Sequence, residues 1–224
     1  MFKNYIQPSV EVFSLRIDEP VTTFTDILLA LICFYAYLKI RQHESSGRIK
    51  GYFKYYFLTL GIAALSGGIL GHAFLYNLSP GWKLVSWGFT LVSVALMAQG
   101  LLLLARPLIR PGMLRLIVMS NIVILALAFI FTISTLAFSA VKLYTIFGMV
   151  AVVGSMSYLI FQKTGQRATL KLLFAVGVGT LSAVFFSYQW GFSPWFNHND
   201  VSHMILSYSA LTMYKGVNLI LETF

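Results

Sequence analysis

Long uninterrupted apolar runs constrain the fold of this 224-residue chain more than any other feature. Stretches such as LVSVALMAQGLLLLA and SNIVILALAFIFTIS lack the alternation of apolar and polar residues that is typical of barrel strands, so we expect helices. A helix that crosses a bilayer needs about 20 mostly apolar residues. The runs of this kind cover residues 21–40, 55–77, 84–105, 114–137, 142–161, 169–188 and 201–221. The sequence therefore predicts an all-α integral membrane protein, a bundle of seven transmembrane helices.

The composition agrees with this class. The chain is 58% hydrophobic and only 10% charged, whereas about a quarter of the residues in a soluble domain are charged. We expect residues 1–20 to form an external N-terminal segment, in which VEVFSLRI alternates as a short strand or an interfacial segment does. Residues 21–224 then form a seven-helix domain of a multi-pass protein in the plasma (inner) membrane.

The distribution of Lys and Arg predicts the orientation. Twelve of the 16 lie in the loops after spans 1, 3 and 5 or towards the C-terminus: Lys39, Arg41, Arg48, Lys50, Lys54, Arg106, Arg110, Arg115, Lys163, Arg167, Lys171 and Lys215. The other four are Lys3, Arg16, Lys83 and Lys142. Because cytoplasmic loops carry the excess of Lys and Arg, the N-terminus is predicted outside and the C-terminus inside. The basic charge thus marks orientation, and a nucleic-acid partner is not expected.

Several ionisable residues are predicted to share one layer in the outer half of the membrane. His72 lies near the outer end of span 2, and His203 lies near the outer start of span 7. Asp26 lies near the outer start of span 1, and the segment NHNDVSH at 197–203 opens span 7. Ionisable groups inside a membrane are costly, so each is a candidate for a functional role.

This layer has the residue types of a zinc site. Catalytic zinc takes three protein ligands and keeps an open position, and the candidate ligands are His72, His203 and either His198 or a carboxylate. Asp200 is the first candidate for a general base or proton shuttle, and Asp26 is the second. A simpler interpretation stays open, in which Asn197 or Asn199 caps the last helix and Asp200 complements the helix dipole.

The topology, the late histidine of span 2 and the histidines that open span 7 resemble the CREST superfamily of membrane hydrolases, which includes the alkaline ceramidases and adiponectin-receptor-like proteins. The resemblance implies a zinc ion held by His72 and two span-7 histidines, and a lipid amide that is hydrolysed by water. The serine position of the family falls on Gly68 here, and Asn199 lies four residues before His203.

Two alternatives from other classes remain. One is a receptor or sensor in which external histidines report pH. The other is a non-catalytic bundle that a metal ion stabilises. Membrane lipids are the expected partners in every case, and metal analysis of the protein beside a His203→Ala variant is the most informative single observation.

Overall fold

A computed structural model describes residues 8–223, and these form a bundle of long helices that is preceded by a short β-hairpin. The helices are α1 Pro20–Gln42, α2 Arg48–Ala73, α3 Lys83–Ala105, α4 Pro111–Thr135, α5 Ser139–Thr164, α6 Arg167–Ser187 and α7 His198–Leu221. Each predicted span overlaps one of these helices. The prediction of an all-α fold is therefore confirmed.

Six of these helices, α1 to α6, are long and apolar enough to cross a membrane. The exception is α7, which has 24 residues and is long enough to span. It is more polar than the others because it carries His198, Asp200, His203 and Lys215. Three of these residues, His198, Asp200 and His203, are also candidates for the predicted site.

The N-terminal segment is a β-hairpin in which β1 Ser9–Val12 pairs antiparallel with β2 Leu15–Asp18. Its two turn residues, Phe13 and Ser14, have φ angles of 50° and 63°. Left-handed values at both positions are typical of the type I′ turn, whose twist suits a hairpin. The segment VEVFSLRI, which we expected to be a short strand or an interfacial segment, thus contains most of two paired strands, and residues 1–7 of the predicted external segment lie outside the described residues.

Helices that are adjacent in sequence pack antiparallel to one another, and α1 with α7 and α3 with α5 form further contacts. Helix α1 lies between α2 and α7, α3 contacts α2, α4 and α5, and α6 lies between α5 and α7. Glycines allow close approach at these contacts, as small residues do in membrane bundles. A Cβ atom on Gly100 would lie 2.7 Å from the Phe53 ring, and one on Gly216 would lie 2.6 Å from Leu172.

The buried residues differ in polarity between the two ends of the bundle. One end, which we call the apolar end, is filled by fully buried apolar side chains from six helices, which include Cys33, Phe53, Phe57, Met97 and Met213. The buried residues nearest the other end of α1 and α7 are polar, and they include Thr22, Asp26, Asp200 and Ser202. The same helices therefore change character along their length.

Two helices contain a π-helical segment, which hydrophobic periodicity does not reveal. The segment Gly67–Ala73 ends α2, and Phe147–Gly154 lies within α5. Segments of this kind occur frequently at functional sites because the extra residue per turn redirects the side chains around it. His72 lies in the first of them.

Candidate functional site

Ionisable side chains from three helices, and from the residue that precedes α1, meet where α2 ends and where α1 and α7 begin. This cluster, which we call the polar end, consists of Glu19, Asp26, His72, Asp200 and His203. Because α2 runs antiparallel to both α1 and α7, a residue late in α2 lies level with residues early in the other two. The structure therefore brings together the layer that the sequence predicts.

Asp26 lies between the two imidazole rings. Its Oδ1 is 3.4 Å from Nδ1 of His203, and its Oδ2 is 3.9 Å from Nε2 of His72. The centroids of the two rings are 6.2 Å apart. Asp26 is only 5% exposed, yet both gaps exceed the usual hydrogen-bond length of about 2.7–3.2 Å. Spacings of this size suit atoms that share a cation.

Helix α2 accommodates Asp26 through two glycines. A Cβ atom on Gly68 would lie 2.9 Å from Cβ of Asp26 and 3.2 Å from the carbonyl oxygen of Thr23. Gly68 is the position at which the CREST pattern has a serine, so a carboxylate from α1 lies against that position here. The sequence predicted Asp26 as the second candidate base, and its central place between the imidazoles becomes visible only in three dimensions.

The two histidines have different second partners. Nδ1 of His72 is 3.0 Å from Oε2 of Glu19, within hydrogen-bond distance. Nδ1 of His203, which faces Asp26, is also 3.3 Å from the Thr25 hydroxyl. Burial raises the pKa of the Glu19 carboxyl, but the hydrogen bond and charge of His72, with the charge of Lys83, bring the net pKa below its usual value. Glu19 is therefore an anion at neutral pH.

Sequence reasoning missed the role of Glu19. The residue precedes α1 and lies 53 positions from His72, and a glutamate at the start of a span is most simply explained as a solvated flank. A usable signal was the position of Glu19 at the same predicted membrane face as His72. Helix periodicity could not reveal the contact, because the backbone of Glu19 is left-handed rather than helical.

Asn197, one of the two predicted candidates, caps α7, and Asp200 takes part in the cap. The Asn197 side chain accepts a hydrogen bond from the backbone N–H of Asn199, and the Asp200 carboxylate accepts one from the backbone N–H of Asn197 at 2.6 Å. This arrangement is a capping box, which satisfies free backbone donors at both positions. Asp200 is fully buried, and in the described chain its oxygens contact no imidazole nitrogen within 4 Å. Its proposed role in orienting an imidazole or moving a proton stays a prediction.

His198 points to a different environment from the other two histidines. Its ring packs against Phe186, with ring centroids 5.6 Å apart, and its backbone carbonyl accepts a hydrogen bond from Ser202. Ser202 also bonds to Ser182 and so joins α7 to α6. Of the two options for a third ligand, His198 or a carboxylate, the contacts favour a carboxylate, namely Asp26.

The residues of the polar end fit a divalent metal ion with a small adjustment. Within residues 8–223, no three His, Cys, Asp or Glu side chains already have the mutual geometry of a metal site. Two ligand atoms on one tetrahedral zinc ion are about 3.3 Å apart when each bond is about 2.0 Å. The 3.4 Å gap between Oδ1 of Asp26 and Nδ1 of His203 matches that spacing, whereas His72 faces the other oxygen, Oδ2, at 3.9 Å, so one shared ion requires the Asp26 carboxylate or the His72 ring to turn. His72, His203 and Asp26 are thus the side chains that would hold the ion.

The fold and this cluster define an all-helical protein with membrane-length helices and a carboxylate–imidazole site at one end. The model of a family of unknown function (DUF6962) matches residues 21–222, so the chain belongs to that family. No curated protein and no solved structure matches the chain significantly. The resemblance to the CREST superfamily stays an expectation that depends on topology and on His72 and His203.

Proposed function

We propose that the chain is a seven-helix membrane protein with its N-terminus outside and its C-terminus in the cytoplasm. Six helices of membrane length and composition support this, together with a seventh of sufficient length that packs between α1 and α6. The excess of Lys and Arg on one side supports the orientation. Cysteine labelling from either face should find residues 41–54 inside and residues 189–200 outside. Labelling of both segments from the same face would contradict the topology.

We further propose that the polar end binds a divalent metal ion, zinc by the nature of its ligands, and hydrolyses a lipid amide. The observation that carries the proposal is the buried Asp26 carboxylate, which faces His72 and His203 across gaps of 3.9 and 3.4 Å. Imidazole and carboxylate ligands with an open position are typical of catalytic zinc. A buried carboxylate in a membrane helix also needs a compensating positive charge.

The side chains of the polar end suit hydrolysis by water. A divalent ion of this kind lowers the pKa of a coordinated water towards 7. Asp26 presents one oxygen to each imidazole, so one oxygen can hold the ion while the other accepts a proton from the water that attacks. The Ser86 hydroxyl lies against the same part of α2 as Asp26: Oγ of Ser86 and Oδ2 of Asp26 are 3.0 and 3.5 Å from the position of a Cβ atom on Gly67. We propose Ser86 as the residue that donates a hydrogen bond to the carbonyl oxygen of a substrate.

The depth of the polar end suits a lipid linkage. Asp26 lies six residues inside the start of α1, and His203 lies five residues inside the start of α7. At a rise of 1.5 Å per residue, both lie about 8–9 Å from the helix ends. Helix α1, with 23 residues, is about 35 Å long and slightly exceeds the hydrocarbon core of about 30 Å. With both helices centred on that core, Asp26 and His203 lie about 5–7 Å inside the hydrocarbon, a depth that the linkage between an acyl chain and its headgroup can reach.

Release of fatty acid tests the hydrolase directly. The purified protein in lipid nanodiscs should release fatty acid from an N-acyl sphingoid lipid, and the release should cease after chelation and return with zinc. Asp26→Asn and His203→Ala should abolish it, while His43→Ala, a histidine in the α1–α2 connection, should retain it. Turnover that persists in Asp26→Asn, or that is indifferent to metal, would contradict the proposal.

A non-catalytic role for the same ion is the second candidate, and it covers both a metal-stabilised bundle and a receptor that a metal ion holds in one conformation. It is favoured by the way the cluster connects α1, α2 and α7, with Thr25 and His203 separated by 178 residues in sequence. An ion there would join the first and last helices. In that case zinc should raise the unfolding temperature of the protein by several degrees while no lipid amide is cleaved.

A further inference from the structure

Glu19 reaches His72 from the N-terminal hairpin rather than from a membrane helix. It follows β2 directly and precedes Pro20, the first residue of α1. Its Oε2 lies 3.0 Å from Nδ1 of His72, and its side chain is 14% exposed. No other carboxylate in residues 8–223 lies within hydrogen-bond distance of that nitrogen.

The backbone at Glu19 is held in an uncommon conformation. Its φ and ψ angles are 44° and 54°, in the left-handed region that residues with a Cβ atom rarely adopt. Non-glycine residues in this region occur mainly where surrounding structure imposes the conformation, and they cluster at functional sites. At Glu19 the conformation turns the chain from the hairpin into α1 while the side chain faces His72.

The hairpin supplies the structure that imposes this conformation. The backbone N–H of Glu19 donates to the carbonyl oxygen of Pro8 at 2.9 Å, which extends the β1–β2 ladder by one pair. The hairpin is in turn attached to the chain that follows α2. The Tyr76 hydroxyl donates to the carbonyl oxygen of Arg16 at 3.0 Å, and the Arg16 guanidinium lies 5.1 Å from the centre of the Tyr76 ring.

We propose that Glu19 is a positioning residue of the metal site and that the hairpin is the element that holds it in place. By accepting a hydrogen bond from Nδ1–H of His72, Glu19 fixes the tautomer in which the lone pair of Nε2 faces Asp26. Histidines that bind metals nearly always donate their other N–H to a carboxylate or carbonyl group, which fixes the ring orientation and makes the free nitrogen a better ligand. This inference rests on the proposed metal site and goes beyond it, because it makes the external hairpin part of that site.

The assignment also distinguishes the two imidazoles. His203 uses Nδ1 towards Asp26, and the neighbour of that nitrogen is the Thr25 hydroxyl at 3.3 Å. The Thr25 hydroxyl donates its proton to the carbonyl oxygen of Thr22 at 3.0 Å, so towards His203 it acts as an acceptor and favours a proton on Nδ1, the nitrogen that faces Asp26. We therefore expect His72 to keep its tautomer in the metal-free protein, whereas His203 adjusts when the ion binds.

Metal affinity is the first test of the assignment. Cobalt(II) titrations of the purified protein, followed by visible absorption, should give a dissociation constant that rises roughly 10- to 100-fold in Glu19→Ala. The loss should be smaller in Glu19→Gln, whose amide oxygen still accepts the hydrogen bond. Glu11→Gln is the matched control, because it removes an exposed carboxylate from the same hairpin. Equal affinity in the wild type and Glu19→Ala would overturn the inference and leave the proposed metal site intact.

The tautomer of His72 is the second test, and it does not depend on the metal. In the metal-free protein, ¹⁵N chemical shifts of labelled histidine should show Nδ1 of His72 protonated in the wild type and in Glu11→Gln, and a mixed state in Glu19→Ala. A wild-type His72 that carries its proton on Nε2 would overturn the inference even if cobalt binds. A wild type that binds no cobalt, while His72 shows the expected tautomer, would instead contradict the proposed metal site.

Discussion

The polar end and the apolar end of the bundle share helices α1, α2 and α7, and both contain buried side chains. Asp26 is 5% exposed and Asp200 is fully buried, while at the apolar end Phe57 is fully buried and Met213 is 1% exposed. Burial of apolar side chains stabilises a close-packed interior through many small contacts. Burial of a carboxylate is destabilising unless the carboxylate is paired with a cation or hydrogen-bonded.

The difference predicts which part of the molecule supports stability and which part supports the proposed chemistry. At the apolar end, close helix contacts such as Gly100 against Phe53 leave no room for larger groups. At the polar end, buried ionisable groups are kept at a cost that packing alone does not explain. Substitutions at the apolar end should therefore lower stability, and those at the polar end should chiefly affect metal binding.

The largest expected change in stability comes from the apolar end. Phe57→Ala removes a fully buried ring and leaves a cavity, so the free energy of unfolding should fall by about 3–5 kcal/mol. Phe131→Ala is the matched control, because that ring is 50% exposed on the outer face of α4. Reversible denaturation in mixed micelles measures both. A loss from Phe131→Ala as large as that from Phe57→Ala would contradict the location of the core.

A methyl group on Gly68 should damage the polar end next most severely. Gly68→Ala places a Cβ atom 2.9 Å from Cβ of Asp26 and 3.2 Å from the Thr23 carbonyl oxygen, so overpacking should destabilise the protein by about 1–3 kcal/mol. Displacement of Asp26 should also weaken metal binding. Gly71→Ala adds the same methyl group in the same π-helical segment, where its nearest neighbour is Lys83 at 3.9 Å. If the two variants behave alike in cobalt titration, the contact between Asp26 and α2 is not what holds the carboxylate.

Loss of the helix cap should have a moderate effect. Asn197→Ala removes the acceptor of the Asn199 N–H at the start of α7, and lost caps typically destabilise by about 1 kcal/mol. Asn218→Ala serves as the control, because its side chain bonds only to exposed Glu222 near the other end of α7. In thermal unfolding, Asn197→Ala should have a lower unfolding temperature than Asn218→Ala. The reverse order would indicate that α7 is anchored by its far end.

The smallest effect should come from Lys215. This side chain is exposed on α7, and we expect its amine to extend to the inner interface. Lys215→Ala should change the free energy of unfolding by less than about 0.5 kcal/mol and keep the full metal content. A loss of metal in this variant would show that α7 does not present its polar residues to the site as described.

Much of this architecture could be predicted from the sequence because it depends on local pattern. Continuous apolar runs located all seven helices, and NHNDVSH at 197–203 gave both the cap at Asn197 and the layer that contains His203. His72 and His203 could be predicted to lie at the same depth because their helices run in opposite directions. These inferences need only helix geometry and the direction of each span.

The rest depends on contacts between distant parts of the chain. Asp26 fits against α2 because Gly67 and Gly68 have no side chains. A comparison with the CREST pattern, in contrast, treats Gly68 only as a missing serine. The role of Glu19 needs a left-handed backbone and a hairpin attached through Tyr76. The π-helical turn that carries His72 leaves no distinct signature in hydrophobic periodicity. Such features arise from packing, which a single sequence does not display.

Metal content of the purified protein tests the central claim most directly. The wild type, expressed with zinc and measured by elemental analysis after gel filtration, should contain stoichiometric zinc. His72→Ala and His203→Ala should each lose it, since each removes one of the facing imidazoles, while His43→Ala should keep it because His43 ends α1 at the opposite end of that helix. Full zinc content in a protein that lacks both His72 and His203 would contradict the account.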